Sequence, residues 1–156
     1  IVFAISNGIF LSIPILIFAK TIEDCEIDMI FVHGRTKKDG YKAPVDYDAI
    51  KIIKENMKIP VIANGDITNY EKAKQVLNYT KANGIMIGRA AIGKPWIFYQ
   101  ISTGQKNISQ KLKKKIILEH LDSMIEHYKE HGIIMFRKHL HTYSKGYNNA
   151  NSFREG

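Results

Sequence analysis

The first twenty residues combine a long apolar stretch with almost no charge. Nineteen uncharged residues, IVFAISNGIFLSIPILIFA, precede Lys20. A stretch of this length is the usual signal of a membrane-spanning helix. Asn7, Gly8, Ser12 and Pro14 interrupt it, however, and weaken a continuous helix. The first positive charge lies behind the apolar run, which argues against a signal peptide. We therefore expect these residues to form part of a folded core.

The apolar pattern between residues 12 and 92 predicts a series of buried parallel strands. SIPILI (12–17) resembles KIPVIA (58–63), and IDMIFVHG (27–34) resembles ANGIMIG (82–88). Each segment is a short, nearly continuous apolar run rich in β-branched residues, as in strands buried on both faces of a parallel sheet. We predict four strands at these positions and interpret the residues before Ser12 as the tail of a helix and its loop.

Three stretches between these strands have the features of helices. They cover residues 20–25, 47–57 and 70–79. In the second stretch, Ile50, Ile53 and Met57 share one face. Thr68 or Asn69 is the predicted N-cap of the third. The alternation of strands and helices indicates a parallel βα fold.

A helical domain, residues 105–156, is predicted to follow an α/β domain, residues 1–104. Apolar residues at helical spacing predict one long helix over residues 111–131 and a second over residues 133–143. Gly132 lies between the two helices and is interpreted as a C-cap.

Composition limits the kind of protein further. The 156 residues are fewer than the roughly 250 of a complete eight-stranded α/β barrel, and the chain begins with Ile1, so we expect a fragment. The formal net charge of +8 favours an anionic partner. The one cysteine, Cys25, excludes a disulfide framework and suits a reducing compartment. We interpret Cys25 as a buried structural residue.

Four short motifs follow the predicted strands, where α/β enzymes place their sites. They are HGRT (33–36), ANGDI (63–67), IGRAA (87–91) and GKPW (93–96). Gly65 and Gly88 would allow backbone N–H groups to approach an anion, and Arg89 adds a planar cation that can pair with phosphate oxygens. A single motif of this kind is ordinary turn chemistry. Their occurrence in consecutive loops predicts a phosphate site.

Together with FRKHL (136–140), these motifs resemble those of the flavin-dependent tRNA-dihydrouridine synthases, most closely the bacterial B-type branch. The resemblance covers about residues 19–156. It implies a partial (βα) TIM barrel, about strands 5–8, that carries FMN and precedes an α-helical C-terminal domain that binds tRNA. It also implies the reaction: NADPH reduces the flavin, hydride passes to C6 of a tRNA uridine, and a cysteine protonates C5.

The resemblance assigns roles to particular residues. It implies that the FMN phosphate and ribityl chain are held by Asn64, Gly65, Asp66, Gly88 and Arg89. It places His33 near the isoalloxazine ring and implies RNA contacts for Arg35, Arg137, Lys138 and His139. We expect no metal site, because His120, His127 and His131 have no carboxylate partner on their helix face.

Two expected features of the family are missing from this sequence. No segment resembles NMGCP, which carries the acid cysteine, and Cys25 is not its equivalent. No Lys-x-Arg pair ends the predicted strand 12–17, so we interpret the uncharged opening run as the result of a deletion. We therefore expect the chain as given to reduce no uridine. Gene decay and a reading-frame error would both produce this pattern.

Three alternatives remain open. The chain could be a non-catalytic basic RNA-binding remnant, a distinct flavin- or phosphate-binding half-barrel that associates through its open sheet edges, or a membrane protein. Under the leading hypothesis the intact protein is a cytoplasmic monomer with tRNA as its partner and no membrane attachment, and a half barrel could self-associate.

Overall fold

A computed structural model of the chain describes residues 2–4, 12–35, 43–147 and 150. Contacts divide the chain into two compact units, residues 1–88 and residues 89–156, which we call the sheet unit and the helical unit. Thr36 of the HGRT motif and residues 5–11, part of the predicted helix tail and loop, lie outside the described residues.

The sheet unit alternates strands with helices, as predicted. Its elements are β1 Val2–Ala4, α1 Ser12–Glu23, β2 Ile30–His33, α2 Tyr47–Asn56, β3 Val61–Asn64, α3 Tyr70–Thr80 and β4 Gly84–Met86. The four strands are parallel and lie in the order β1-β2-β3-β4. Sequential neighbours in a parallel sheet require helical crossovers, which α1, α2 and α3 provide. The described chain therefore has the predicted α/β class.

The core of the sheet unit lies between the strands and the helices α2 and α3. Its largest fully buried apolar side chains are Ile30, Val32, Ile50, Val61 and Val76. Both helices begin at side-chain caps: the Asp46 carboxylate accepts from Ala49 N at 2.9 Å, and Asn69 Oδ1 accepts from Lys72 N at 2.8 Å. These caps fix where each crossover helix starts and confirm Asn69 as the N-cap of α3.

The prediction of a strand over residues 12–17 is wrong. Ser12–Glu23 forms one helix, α1, which also contains most of the short helix predicted over residues 20–25. A short run that is apolar on every side has no periodicity to distinguish a buried strand from a helix. Pro14 lies in the first turn of α1, where the absence of its N–H costs no helical hydrogen bond.

The first strand of the sheet lies at Val2–Ala4, a position predicted to be a helix tail. It pairs with β2 in parallel, with Ala4 opposite His33. The apolar opening of the chain therefore contains a strand and the start of a helix. Among the described residues, no helix combines the length and the apolar character needed to cross a bilayer.

The helical unit consists of a short 3₁₀ turn, Arg89–Ala91, and the helices α4 Ile97–Thr103, α5 Gln110–Tyr128 and α6 Glu130–Tyr143. The two long helices confirm the helices predicted over residues 111–131 and 133–143. Trp96, Phe136 and Tyr143 form the buried centre of this unit.

The prediction that Gly132 is the C-cap between the long helices is wrong. Gly132 lies in the first turn of α6. Lys129, with φ of 56°, separates the helices instead. A Cβ at Gly132 would lie 2.2 Å from the carbonyl oxygen of Met124 on α5. Glycine is needed here because the backbones approach closely, which sequence spacing does not reveal.

Candidate functional site

The predicted motifs after β2 and β3 meet at the carboxyl edge of the sheet. His33 ends β2 and lies opposite Asn64, the last residue of β3. The HGRT turn and the NGDI turn begin directly after these two residues, so the parallel register brings them together. This edge is where open α/β sheets bind their ligands.

The side chains of Arg35 and Asp66 join these two turns. Arg35 Nη1 donates to Asp66 Oδ1 at 3.0 Å, and Nη2 donates to Oδ2 at 2.5 Å. The Arg35 side chain is 4% exposed and that of Asp66 is 41% exposed. Arg35 Nε also donates to the carbonyl oxygen of Ala43 at 2.6 Å. A buried guanidinium needs such a paired carboxylate, and the forked geometry fixes its plane.

The turn after β3 has an unusual backbone. Gly65 has φ of 138° and Asp66 has φ of 46°. A Cβ at Gly65 would lie 2.7 Å from Val45 Cγ1, so both the conformation and the close packing require glycine. The motif predicts that Gly65 allows a ligand to approach closely. The atoms nearest to a Cβ at this position belong to Val45, in the segment before α2.

Tyr47 also holds this turn, although its place in the sequence predicts only the start of a helix. Its hydroxyl donates to the carbonyl oxygen of Gly65 at 2.7 Å. Burial, and next the charge of Asp66, raise the pKa of Tyr47 to about 12, so the phenol stays a donor at neutral pH. No local motif identifies such a residue, because its partner lies 18 positions away.

The tautomer of His33 follows from its backbone partner. His33 Nδ1 lies 3.1 Å from the carbonyl oxygen of Asn64. A carbonyl oxygen can only accept, so Nδ1 carries the proton in this contact and the neutral ring keeps Nε2 as an acceptor. The second ring nitrogen is therefore the one that remains for chemistry.

The two remaining residues of the predicted phosphate site stand on either side of the division between the units. Gly88 is the last residue of the sheet unit, and Arg89 is the first of the helical unit. Both are exposed. A Cβ at Gly88 would meet nothing within 4 Å, so the described residues do not require glycine there for packing.

The predicted RNA-binding residues of α6 differ in exposure. Arg137 and Lys138 are exposed, whereas His139 is half-buried. The rings of His139 and His120 have centroids 4.6 Å apart, and His120 Nδ1 lies 2.9 Å from the Tyr143 hydroxyl. Burial, and next the neighbouring His139, lower the pKa of His120. Burial also raises the pKa of Tyr143.

The prediction that Cys25 is buried is wrong. Cys25 is exposed in the turn after α1, and its thiol donates to the carbonyl oxygen of Thr21 at 3.2 Å. The end of α1 lies at the amino edge of the sheet, because Glu23 Oε1 accepts from the N–H groups of Lys58 and Ile59, just before β3. Cys25 therefore follows a helix that ends at the edge opposite His33. Among the described residues, no three His, Cys, Asp or Glu side chains cluster as metal ligands would.

Comparison with known proteins gives the family. A family model described as dihydrouridine synthase matches residues 12–156. A probable tRNA-dihydrouridine synthase of Helicobacter pylori is 47% identical over 137 residues, which are 87% of this chain and 42% of the relative. The tRNA-dihydrouridine synthase B of Vibrio parahaemolyticus is 46% identical over 143 residues, which are 87% of this chain and 44% of the relative.

A probable tRNA-dihydrouridine synthase of Rickettsia conorii is similar to a comparable extent, with 43% identity over 143 residues that make up 87% of this chain and 43% of the relative. The chain thus spans less than half the length of these curated relatives. The family match extends from α1 through both long helices and includes the turns after β2 and β3. The chain belongs to the dihydrouridine synthase family.

Proposed function

We propose that this chain is part of a tRNA-dihydrouridine synthase, an FMN-dependent enzyme that uses NADPH to reduce the C5=C6 bond of uridines in tRNA. The observation that carries the proposal is the junction of the HGRT and NGDI turns at the carboxyl edge of the sheet, held by the Arg35–Asp66 pair. The relatives named above are tRNA-dihydrouridine synthases. The four-stranded sheet would form part of a TIM barrel, and residues 105–156 would form the tRNA-binding domain.

The turn after β3 is proposed to hold the phosphate and ribityl end of FMN. Gly65 keeps its backbone free of a Cβ in a tight turn, Asn64 ends the strand with a half-buried amide, and Asp66 is partly exposed. For Gly88 and Arg89 the proposed contact with the FMN phosphate rests on the IGRAA motif alone, in which Arg89 would supply the cation that phosphate recognition uses. Bound FMN supplies the hydride chemistry, with NADPH as the reductant.

His33 is proposed to contact the isoalloxazine ring. Its Nδ1 proton is held by the Asn64 carbonyl oxygen, which fixes the orientation of the imidazole. Nε2 would then be the ring nitrogen that contacts a bound flavin from the end of β2.

The helical unit is proposed to bind the tRNA backbone. Arg137 and Lys138 are exposed on α6 and would supply cations for phosphate groups. His139 contributes less directly, because its ring packs on His120. Arg35 is nearly buried and already bonded to Asp66, so we propose a role for it inside the cofactor site and not at the RNA surface.

Titration with FMN tests the cofactor site. We expect saturable quenching of flavin fluorescence by the chain, and we expect Asn64→Ala to weaken the binding at least severalfold. Asn56→Ala is the matched control, because Asn56 is an exposed asparagine at the end of α2 whose side chain bonds to the Ile52 carbonyl oxygen of its own helix. Equal binding by both variants, or no quenching by the unsubstituted chain, would contradict the proposal.

A second candidate function is a non-catalytic RNA-binding module. A cavity of about 440 Å³ in the helical unit favours it, because its lining combines lysine side chains with an exposed aromatic ring, among them Lys113, Lys114 and Tyr147. Aromatic faces stack on bases and lysines attract phosphates. The FMN titration separates the two functions, since a module of this kind binds tRNA in a salt-dependent way without binding flavin.

A further inference from the structure

We propose that Tyr47 and Arg35 are positioning residues that hold the Gly65–Asp66 turn in the shape that binds the flavin phosphate. The inference rests on the proposed function and extends it. The family resemblance implies RNA contacts for Arg35, and Tyr47 is not among the predicted site residues. Both side chains bond to the turn after β3.

The turn needs outside support because its backbone conformation is unfavourable. Asp66 has a side chain and φ of 46°, a left-handed conformation that residues other than glycine adopt less readily than the right-handed one. Gly65 has φ of 138°, and glycine adopts this region without a steric penalty but adopts other regions as readily. Without partners, this pair of residues would populate several turn shapes, and only some of them would suit an anion.

Tyr47 fixes the peptide unit between Gly65 and Asp66. Its hydroxyl donates to the Gly65 carbonyl oxygen at 2.7 Å. A trans peptide unit is planar, so fixing the carbonyl directs the Asp66 N–H toward the opposite side. The phenol is itself held, because it belongs to the first residue of α2 and the Lys72 ammonium lies 4.7 Å from its ring centroid.

Arg35 fixes the side chain of the turn and offsets its charge. Nη1 and Nη2 of Arg35 donate to the two carboxylate oxygens of Asp66, and Nε donates to the carbonyl oxygen of Ala43. A carboxylate beside a phosphate would repel it, and the buried guanidinium reduces that repulsion. Lysine could not replace this contact, since an ammonium lacks the planar fork.

The test compares the affinities of FMN and riboflavin, which differ only in the phosphate. We expect Tyr47→Phe to lower the ratio of the two affinities about fivefold, as for one lost hydrogen bond, with little change in thermal stability. Arg35→Lys should lower the same ratio. Tyr79→Phe is the matched control, because the Tyr79 hydroxyl bonds to Asp48 and not to the turn. A purely structural role for Tyr47 would change stability and leave the ratio unchanged.

Backbone amide shifts of Gly65 and Asp66 in the ligand-free protein provide the second readout. These chemical shifts should differ from those of the unsubstituted chain in Tyr47→Phe and should be unchanged in Tyr79→Phe. Unchanged shifts, or an unchanged affinity ratio in a chain that prefers FMN, would overturn the positioning role alone. An unsubstituted chain with no preference for FMN over riboflavin would instead overturn the phosphate site of the proposed function, and the positioning role with it.

Discussion

At the scale of single residues, two glycines of the proposed cofactor site have different surroundings. Gly65 has φ of 138° and lies against Val45, whereas Gly88 is exposed and has open space where a Cβ would stand. The motifs select both glycines for the same reason, the approach of an anion. Their packing shows that Gly65 is also needed to form the turn.

We therefore expect Gly65→Ala to lower the free energy of unfolding by about 2 kcal/mol, through backbone strain and the contact with Val45. Gly88→Ala should stay within about 0.5 kcal/mol of the unsubstituted chain. Urea unfolding of the two variants measures both values. Equal destabilisation by the two substitutions would contradict the described geometry of the turn.

The residues at the ends of strands could be predicted, but their side-chain partners could not. His33 and Asn64 follow apolar runs, and parallel strands bring such positions to one edge. The Arg35–Asp66 pair joins residues 31 positions apart and depends on how two turns fold toward each other. The bond from Tyr47 to Gly65 also joins distant positions, 18 residues apart, so the sequence does not predict it.

At the scale of elements, the predictions succeeded where periodicity or a cap was clear. The helices α2 and α3 have apolar faces and side-chain caps, and both were placed correctly. Only the first part of α1, residues 12–17, differs from its prediction, which is a strand, because an apolar run without polar positions has no period to measure. The close crossing at Gly132 depends on tertiary packing, and its spacing alone resembled a helix end.

The pairing of α5 with α6 gives the helical unit a predicted dependence on pH. The pKa of His120 lies below its usual value of 6.5 in the folded chain, and the titratable groups that face its ring from α6 are His139 and Tyr143. Above pH 6.5 both the folded and the unfolded chain keep this ring neutral. As the pH falls below that value, the unfolded chain takes up the proton first, so stability is lost until the lowered pKa is reached.

Thermal unfolding between pH 7.5 and 5 measures this effect. The midpoint should fall over that range, and His120→Asn should reduce the fall, because the amide does not titrate. His127→Asn is the matched control, since His127 is exposed on the same helix. A fall of the same size in both variants would mean that other groups cause the pH dependence.

At the scale of the whole molecule, the chain covers less than half the length of the relatives it matches. It spans 42–44% of their lengths and carries the turns after β2 and β3 together with the basic helical unit. Its one cysteine lies in the turn after α1, and the end of that helix contacts the residues before β3. We infer that these 156 residues by themselves reduce no uridine, because their one cysteine, Cys25, follows a helix that ends at the edge of the sheet opposite the proposed flavin edge.

The family and the alternation of strands and helices followed from motifs and apolar runs, which are local in sequence. The division into compact units follows from contacts between distant residues. The net charge of +8 favours an anionic partner, but it does not predict which surface of the protein would bind that partner.

The most direct test joins this chain to the amino-terminal part of the Vibrio parahaemolyticus relative, which is 46% identical to it over 143 residues. The chimaera and the chain alone are incubated with FMN, NADPH and unmodified tRNA, and the nucleosides are then analysed for dihydrouridine. We predict dihydrouridine from the chimaera, a much lower yield from its His33→Ala variant, and none from the chain alone. A folded, flavin-loaded chimaera that produces no dihydrouridine, or production by the chain alone, would contradict the account.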